Sequence, residues 1–292
     1  MSSPPGDRPR DLMIAGHINV DRFLTVASFP GPDRTVPVTG ARTALGGTAA
    51  NLARVASGYG VACGLVARLG DGFPEGLDAP LRRAGIDLRG VERVPGISTP
   101  TCYIVEDGRH RQRTFIDQGA MADRRPDRGP PPAGLDEYAW LHLTTGPPRI
   151  HLRLLEVARR HGLRVAADPA QEIHYRWRPA ELRALLRGSE IFFGNRSEIA
   201  RALLLLGLDR PEDLTTMVPL VVRTDGADGA VAYGRGSTVR VRAHRATRVR
   251  SIVGAGDAFR GGFYAGWFEG APLGGCLGAG ARAAARWIEG RR

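Results

Sequence analysis

Lysine is absent from this 292-residue chain: all 41 of its basic side chains are arginine. That absence excludes Schiff-base chemistry of the pyridoxal-phosphate or aldolase kind, which needs a lysine amine. It also excludes the Walker A loop and the strand lysine of protein kinases. Cysteine is scarce. Cys63, Cys102 and Cys276 stand far apart with no CxxC pair, which argues against a thiolate zinc cluster. A sparse, odd count fits a reducing compartment, and a cytoplasmic location is the expectation. Long apolar runs are missing as well. The longest aliphatic run, Leu203 to Leu206, is far too short to span a bilayer, and Met1 to Asp7 carries no apolar signal segment. His17, His110, His142, His151, His161, His174 and His244 show no metal-ligand spacing, so structural or surface roles are expected of them.

What is present is the composition of a folded globular chain, 42% hydrophobic and 24% charged. The net charge of +11 raises the question of nucleic acid. The arginines, however, are spread along the chain and mixed with acids, whereas nucleic-acid footprints are clustered, so nucleic acid is not the expected partner.

Strand-length apolar runs alternate with helical patterns. Leu12 to Ala15, Val61 to Leu69, Trp140 to Thr144, Val165 to Ala167, Ile191 to Phe193 and Leu220 to Arg223 read as strands, and Ala230 to Tyr233 with Val239 to Val241 as a hairpin. Helices are predicted after Gly47 and over Pro74 to Ala84, Ile150 to Arg160, Pro179 to Arg187, Ser197 to Leu206, Asp257 to Phe268 and Leu273 to Ile288. The alternation implies a three-layer α/β/α fold around a mostly parallel sheet. Phe23 to Thr39 and Thr101 to Phe115 alternate like exposed strands and predict a small accessory sheet, with lid segments at about 22–40 and 100–118. The organisation expected is an extended tail over 1–10 and one domain over 11–292, with Asp123 to Gly134 as a surface loop.

Ligands in such folds sit beyond the carboxyl ends of the parallel strands. Three motifs fall there. Gly254-Ala255-Gly256-Asp257 follows a strand-like stretch and opens a helix, so its amides and the helix dipole make an anion hole. Asp257 at that helix start is either a favoured N-terminal residue or a base that takes a proton from an alcohol attacking phosphorus. Gly46-Gly47 opens another helix and permits close backbone approach, with Asn51 one turn in. Asn19 and Asp21 share a side after the first strand. They form either a turn or an amide and carboxylate suited to sugar hydroxyls.

Together, and in order from about Leu12 to Glu289, these motifs resemble the ribokinase-like family of PfkB-type sugar and nucleoside kinases. Asn195-Arg-Ser-Glu198 is similar to the family's Asn-x-x-Glu motif, which would order Mg²⁺ through water. Thr224-Asp225-Gly226 with Gly229 resembles its nucleotide loop, and the accessory strands resemble its β lid, which implies a homodimer through the lid. The resemblance implies an ATP-dependent phosphotransferase, with ADP as donor not excluded. In it Asp257 would be the base, the Gly254 to Gly256 amides the anion hole, and Asn19, Asp21, Gly46, Gly47 and Asn51 the acceptor site, with a sugar or nucleoside as acceptor. His142-Leu-Thr-Thr-Gly146-Pro and Asp168-Pro-Ala-Gln171-Glu172 are similar to archaeal-type nucleoside kinases and ribose-1-phosphate kinases. A ribokinase- or fructokinase-type sugar kinase, a ribose-1-phosphate kinase and, more remotely, a non-catalytic binding protein on the same fold stand as alternatives.

The sequence departs from the family at Ser251-Ile252-Val253, where many relatives carry the acid of a monovalent-cation site. Ser251 cannot supply that charge and Arg250 lies beside it, so a K⁺ requirement is doubtful. Relatives commonly continue past the last helix. Here either the nucleotide pocket is more open or residues such as Ala279 and Gly280 form more of it. Arg109, Arg111 and Arg113 alternate as a solvated lid edge or as a contact for a substrate phosphate, while Tyr175 and Trp177 are expected to pack.

Overall fold

The computed structural model describes residues 10–109, 111–122 and 131–290. Residues 1–9 of the expected tail, His110, residues 123–130 of the expected loop and residues 291–292 lie outside the described residues. In chain order the strands are β1 (Arg10–Ala15), β2 (Asn19–Val26), β3 (Val38–Gly46), β4 (Cys63–Asp71), β5 (Asp87–Ser98), β6 (Thr101–Asp107) and β7 (Gln112–Asp117), then β8 (Tyr138–Leu143), β9 (Arg164–Ala167), β10 (Ile191–Asn195), β11 (Leu220–Thr224), β12 (Ala230–Gly234) and β13 (Ser237–Val241). The α-helices are α1 (Thr48–Gly58), α2 (Ala79–Arg83), α3 (Pro148–Arg160), α4 (Pro179–Arg187), α5 (Arg196–Leu206), α6 (Ala255–Phe268) and α7 (Leu273–Ile288).

Nine strands form one sheet in the order β13-β12-β11-β10-β9-β8-β1-β4-β5. Neighbours from β5 to β11 are parallel, and the β12–β13 hairpin folds back antiparallel at one edge. The period of two along a strand sorts the core. Leu12 and Ile14 of β1 join Phe193, Leu52, Phe263 and Leu277 on the face covered by α1, α6 and α7. Met13 and Ala15 join Phe192, Leu154, Leu185 and Ile199 on the face covered by α3, α4 and α5. A strand buried on both faces reads as a continuous apolar run, which is why these strands are legible in the sequence. Small residues let α6 and α7 approach closely: a Cβ on Gly262 would lie 2.5 Å from the Ala283 Cβ, and one on Gly280 would lie 2.8 Å from the Phe259 carbonyl oxygen.

The second sheet, β3-β2-β6-β7, stands outside the main layer as the expected lid. It begins earlier than the sequence pattern indicates, because Asn19 and Asp21 already belong to β2. Residues 27–37, with Pro30, Gly31 and Pro32, turn instead of extending, and β3 runs on to Gly46. Two further local expectations are corrected, and one strand escaped the sequence pattern. Of Pro74 to Ala84 only Ala79–Arg83 is α-helical, since Gly76 takes a φ of 71° and makes a turn. β5 is an edge strand whose exposed Arg89, Glu92 and Arg93 hide its pattern. Ser251 to Val253 is irregular rather than strand-like, and Ile252 is 68% exposed. No described helix is long and apolar enough to cross a membrane.

Candidate active site

In the main sheet β1 is flanked by β4, reached next in the sheet, on one side and by β8 on the other. Loops leaving β1 and β8 therefore diverge, and the crevice between them is where an open α/β sheet binds ligands. The chain enters α1 through Gly47, whose φ of 98° and ψ of 139° are essentially confined to glycine. A Cβ there would overlap the His17 carbonyl oxygen. This tight passage presents Asn51 in the first turn of α1. Its amide Nδ2 donates to Asp257 Oδ2 at 3.0 Å, joining residues 206 positions apart.

Asp257 sits in the first turn of α6, which begins at Gly254 with a left-handed φ of 81°. A side chain on Gly254 would meet the Trp287 ring at 3.0 Å, and the Trp287 indole Nε1 donates to the Val253 carbonyl at 2.7 Å. α7 thus fixes the turn from behind. The Ala255 amide is turned back to the Ile252 carbonyl at 3.1 Å. The Gly256 and Asp257 amides have no acceptor within the helix and are the donors available to an anion. Burial pushes the Asp257 carboxyl up to about 7, against the pull of Arg260 and the Asn51 hydrogen bond and with help from Asp168 and Glu198. A base with a pKa near neutral is matched to proton abstraction at neutral pH.

On β2, Asn19 and Asp21 alternate onto one face, as read from the sequence. Asn19 Oδ1 is buried without a hydrogen-bond partner. Burial raises Asp21 to about 7, against the pull of Arg42. Its carboxylate packs against Gly46, where any side chain would overlap it. A buried, unpaired acceptor beside a poised carboxyl is an unmet demand for hydroxyl donors.

At the other end of the crevice Asn195 and Thr224 are level in neighbouring strands. Asn195 caps α5: its Oδ1 accepts from the Glu198 amide at 2.9 Å, and Glu198 Oε2 accepts from the Asn195 amide at 2.7 Å. The cap fixes the Glu198 carboxylate, which burial raises above its usual range. After Thr224 the loop closes through Asp225 N–H to the Gly229 carbonyl at 2.8 Å, with Gly226 and Gly229 both at positive φ. Gly280, by contrast, is spent in the α6–α7 crossing. Among the described residues no three His, Cys, Asp or Glu side chains converge as a metal centre. Single carboxylates, Glu198 and Asp257, are the oxygen donors here. Such a set fits Mg²⁺, which keeps several waters and takes its remaining ligands from phosphates.

A sequence profile of the pfkB family carbohydrate kinases matches residues 9–291. The chain belongs to this family. A nucleoside kinase of Methanothermobacter thermautotrophicus is 33% identical over 270 residues, covering 91% of this chain and 85% of the relative. One of Thermoplasma acidophilum is 32% identical over 255 residues, covering 87% and 81%. The crystal structure of the Methanocaldococcus jannaschii nucleoside kinase, an archaeal member of the ribokinase family, superposes with a TM-score of 0.87 at 26% identity, covering 97% of this chain and 92% of that one. This pfkB-family chain is a kinase of the ribokinase-like fold, acting on a hydroxyl of a sugar or nucleoside.

The kinase also holds residues that the sequence reading missed. Buried Arg260, one turn beyond Asp257, donates from Nη2 to Asp168 Oδ1 at 2.7 Å, and its Nε also contacts Asp168. Burial alone would raise Asp168, but Arg260 and His142 outweigh it and hold the carboxyl below its usual range. A charged residue three positions after Asp257, amid Phe259, Phe263 and Tyr264, was the available signal. A second set links lid to core. Gln118 Nε2 donates to Glu172 Oε1 at 3.2 Å, so its Oε1 faces His17 Nε2 at 2.6 Å. His17 is kept neutral by burial, so Nδ1 accepts from the Thr145 hydroxyl at 2.6 Å, and Thr145 in turn meets Thr48 at 2.6 Å. Trp177 packs against His151 as expected, whereas Tyr175 is 60% exposed and does not.

Proposed function

We propose that this kinase transfers the γ-phosphate of ATP to the primary hydroxyl of a nucleoside. The observation that carries the proposal is the Asn51–Asp257 hydrogen bond, which ties the helix start of the acceptor side to that of the anion hole. Asn19, Asp21, Asn51 and the Gly46-Gly47 backbone would hold the sugar hydroxyls, where the unpaired Asn19 Oδ1 and the poised Asp21 carboxyl call for donors. Asp257 would accept the proton of the attacking hydroxyl. Amides at the start of α6, from Gly254 and Gly256 onward, would stabilise charge on the phosphoryl oxygens without a lysine. Thr224, Gly226 and Gly229 would cradle the nucleotide. Mg²⁺, reached through water by Glu198 as positioned by Asn195, would neutralise phosphate charge when bound. The nucleoside kinases among its relatives support the acceptor class. The lid would pair two copies, as its exposed Tyr103 and Phe115, cross-strand neighbours on the face opposite Asp21, suggest.

A ribose 1-phosphate acceptor would need a cation for the phosphate it already carries. Arg111 is bound to Asp107 at 2.6 Å and Arg113 lies over Phe29 at 4.5 Å, which favours the unphosphorylated acceptor. The test is phosphate transfer from ATP and ADP to nucleosides, ribose, fructose and ribose 1-phosphate. Nucleosides with ATP should turn over best, and transfer confined to free sugars would refute the assignment. Asp257→Asn should keep the fold and lose about a hundred- to ten-thousand-fold in kcat. Normal turnover in that variant would remove Asp257 as the base.

A further inference from the structure

Arg260 is 5% exposed and belongs to α6, one turn beyond Asp257. Positions three apart on a helix share a face, and helical side chains lean toward the N-terminus, so its guanidinium lies over the start of α6. The glycine there leaves room for it: a Cβ on Gly256 would come within 2.8 Å of Arg260 Nη1. Gly256 is not among the glycines at positive φ, so space, not backbone conformation, is what glycine supplies at this position. Gly256 and Asp257 are themselves half-buried, at the crevice.

The guanidinium is divided between two directions. One edge, Nη2 and Nε, faces Asp168, just after β9. The Phe193 ring, 5.8 Å from Cζ, steadies the group from one side. The remaining nitrogen, Nη1, has no hydrogen-bond partner among the described residues and lies beside Gly256, whose amide is one of the two donors free for an anion. Pairing with Asp168 does not by itself account for such a residue, because a buried ion pair gives little net stability over apolar packing. Asp168, Glu198 and Asp257 all act electrostatically on Arg260, and a triphosphate brings more negative charge to the same crevice. A fixed cation that keeps its proton offsets both, and this chain has no lysine to serve as one.

We propose that Arg260 is a catalytic residue: anchored by Asp168, it holds the transferred phosphoryl group through Nη1 beside the Gly256 amide, the task that the lysine performs in a P-loop. During transfer the acceptor oxygen bonds to the γ-phosphorus, and the bond from that phosphorus to the β–γ bridging oxygen breaks. ADP leaves with that electron pair, and the acceptor proton passes to Asp257. Arg260 stays protonated throughout and offsets charge on the phosphoryl oxygens.

Two variants separate this role from mere support of the turn. Arg260→Met/Asp168→Asn removes both members of the pair and strands neither charge. Arg260→Lys keeps the charge but loses the fork that reaches Asp168 and the phosphate together. Binding of ADP and of a non-hydrolysable ATP analogue is read calorimetrically without acceptor, kcat by phosphate transfer, and folding by thermal melt. In the double variant affinity for the ATP analogue should fall at least about tenfold, the loss of one charge-assisted hydrogen bond, while ADP affinity stays within about twofold. Its kcat should fall at least about a hundredfold, as when one preorganised donor to developing charge is removed. Arg260→Lys should show the same preference for losing the analogue, with kcat down about tenfold or more. Equal losses for ADP and the analogue, or no loss for either, overturn the phosphoryl contact, as does a kcat within about tenfold of native in the folded double variant. Should the double variant not fold, Arg260→Lys decides: the selective loss supports the contact, and native kcat with native analogue affinity overturns it. The inference rests on the α6 turn receiving the γ-phosphate. That reading falls if Asp257→Asn turns over normally, a result distinct from the binding comparison, which needs no turnover.

Discussion

Replacing Asn51 by alanine should move the acidic limb of the pH profile toward alkaline pH. Asn51 donates a 3.0 Å hydrogen bond to Asp257, and a hydrogen bond to a charged group contributes about 1.5–3 kcal/mol. Asn51 favours the ionised carboxylate, so its loss should raise the Asp257 pKa by about 1–2 units at 1.36 kcal/mol per unit. The starting value is about 7, so activity, which requires the deprotonated base, should rise later as pH increases. The profile of kcat/KM for the acceptor reports the free enzyme and is the assay, run from about pH 5.5 to 10. Asp21 also titrates at about 7, so the native limb should be steeper than one proton. In Asn51→Ala the two ionisations should separate into two steps. A thermal melt controls for the small cavity left behind. A limb displaced by less than about 0.3 unit, or displaced to lower pH, would refute the coupling of these two side chains.

Gly47→Ala should destabilise the fold by about 3 kcal/mol or more and raise the acceptor KM, read by denaturant midpoint and by kinetics, because its φ of 98° and its contact with the His17 carbonyl both exclude a Cβ. Added K⁺ should leave kcat unchanged within about twofold: Ser251 offers no charge, and its Oγ already accepts from the Val253 amide at 3.2 Å. Phe115→Asp should shift sedimentation to that of a monomer, since Phe115 is 59% exposed on the outer lid face and a charge there opposes an apolar contact between copies.

Much of the main sheet was legible because its signals are local. Leu12 to Ala15 and Ile191 to Phe193 are apolar on both faces of a buried layer, and α4 and α7 fall where the sequence periodicity puts them. The edge strand β5 escaped for the opposite reason. β5 pairs on one side only, and its outward arginines interrupt the pattern. Ser251 to Val253 has strand-like residues but pairs with no strand among the described residues.

The candidate site divides the same way. Glycine pairs at two helix starts, the Asn195–Glu198 cap and the missing lysine are properties of the sequence itself, because backbone freedom, capping and charge act within a turn of chain. That Asn51 meets Asp257, that Arg260 offsets Asp168 across 92 positions, and that His17 reads the lid through Gln118 were decided by tertiary structure. These contacts follow from strand order and helix packing, which bring distant residues into one buried crevice. Only there does burial lift two carboxyls to about 7 and turn ordinary polar side chains into the parts of a kinase.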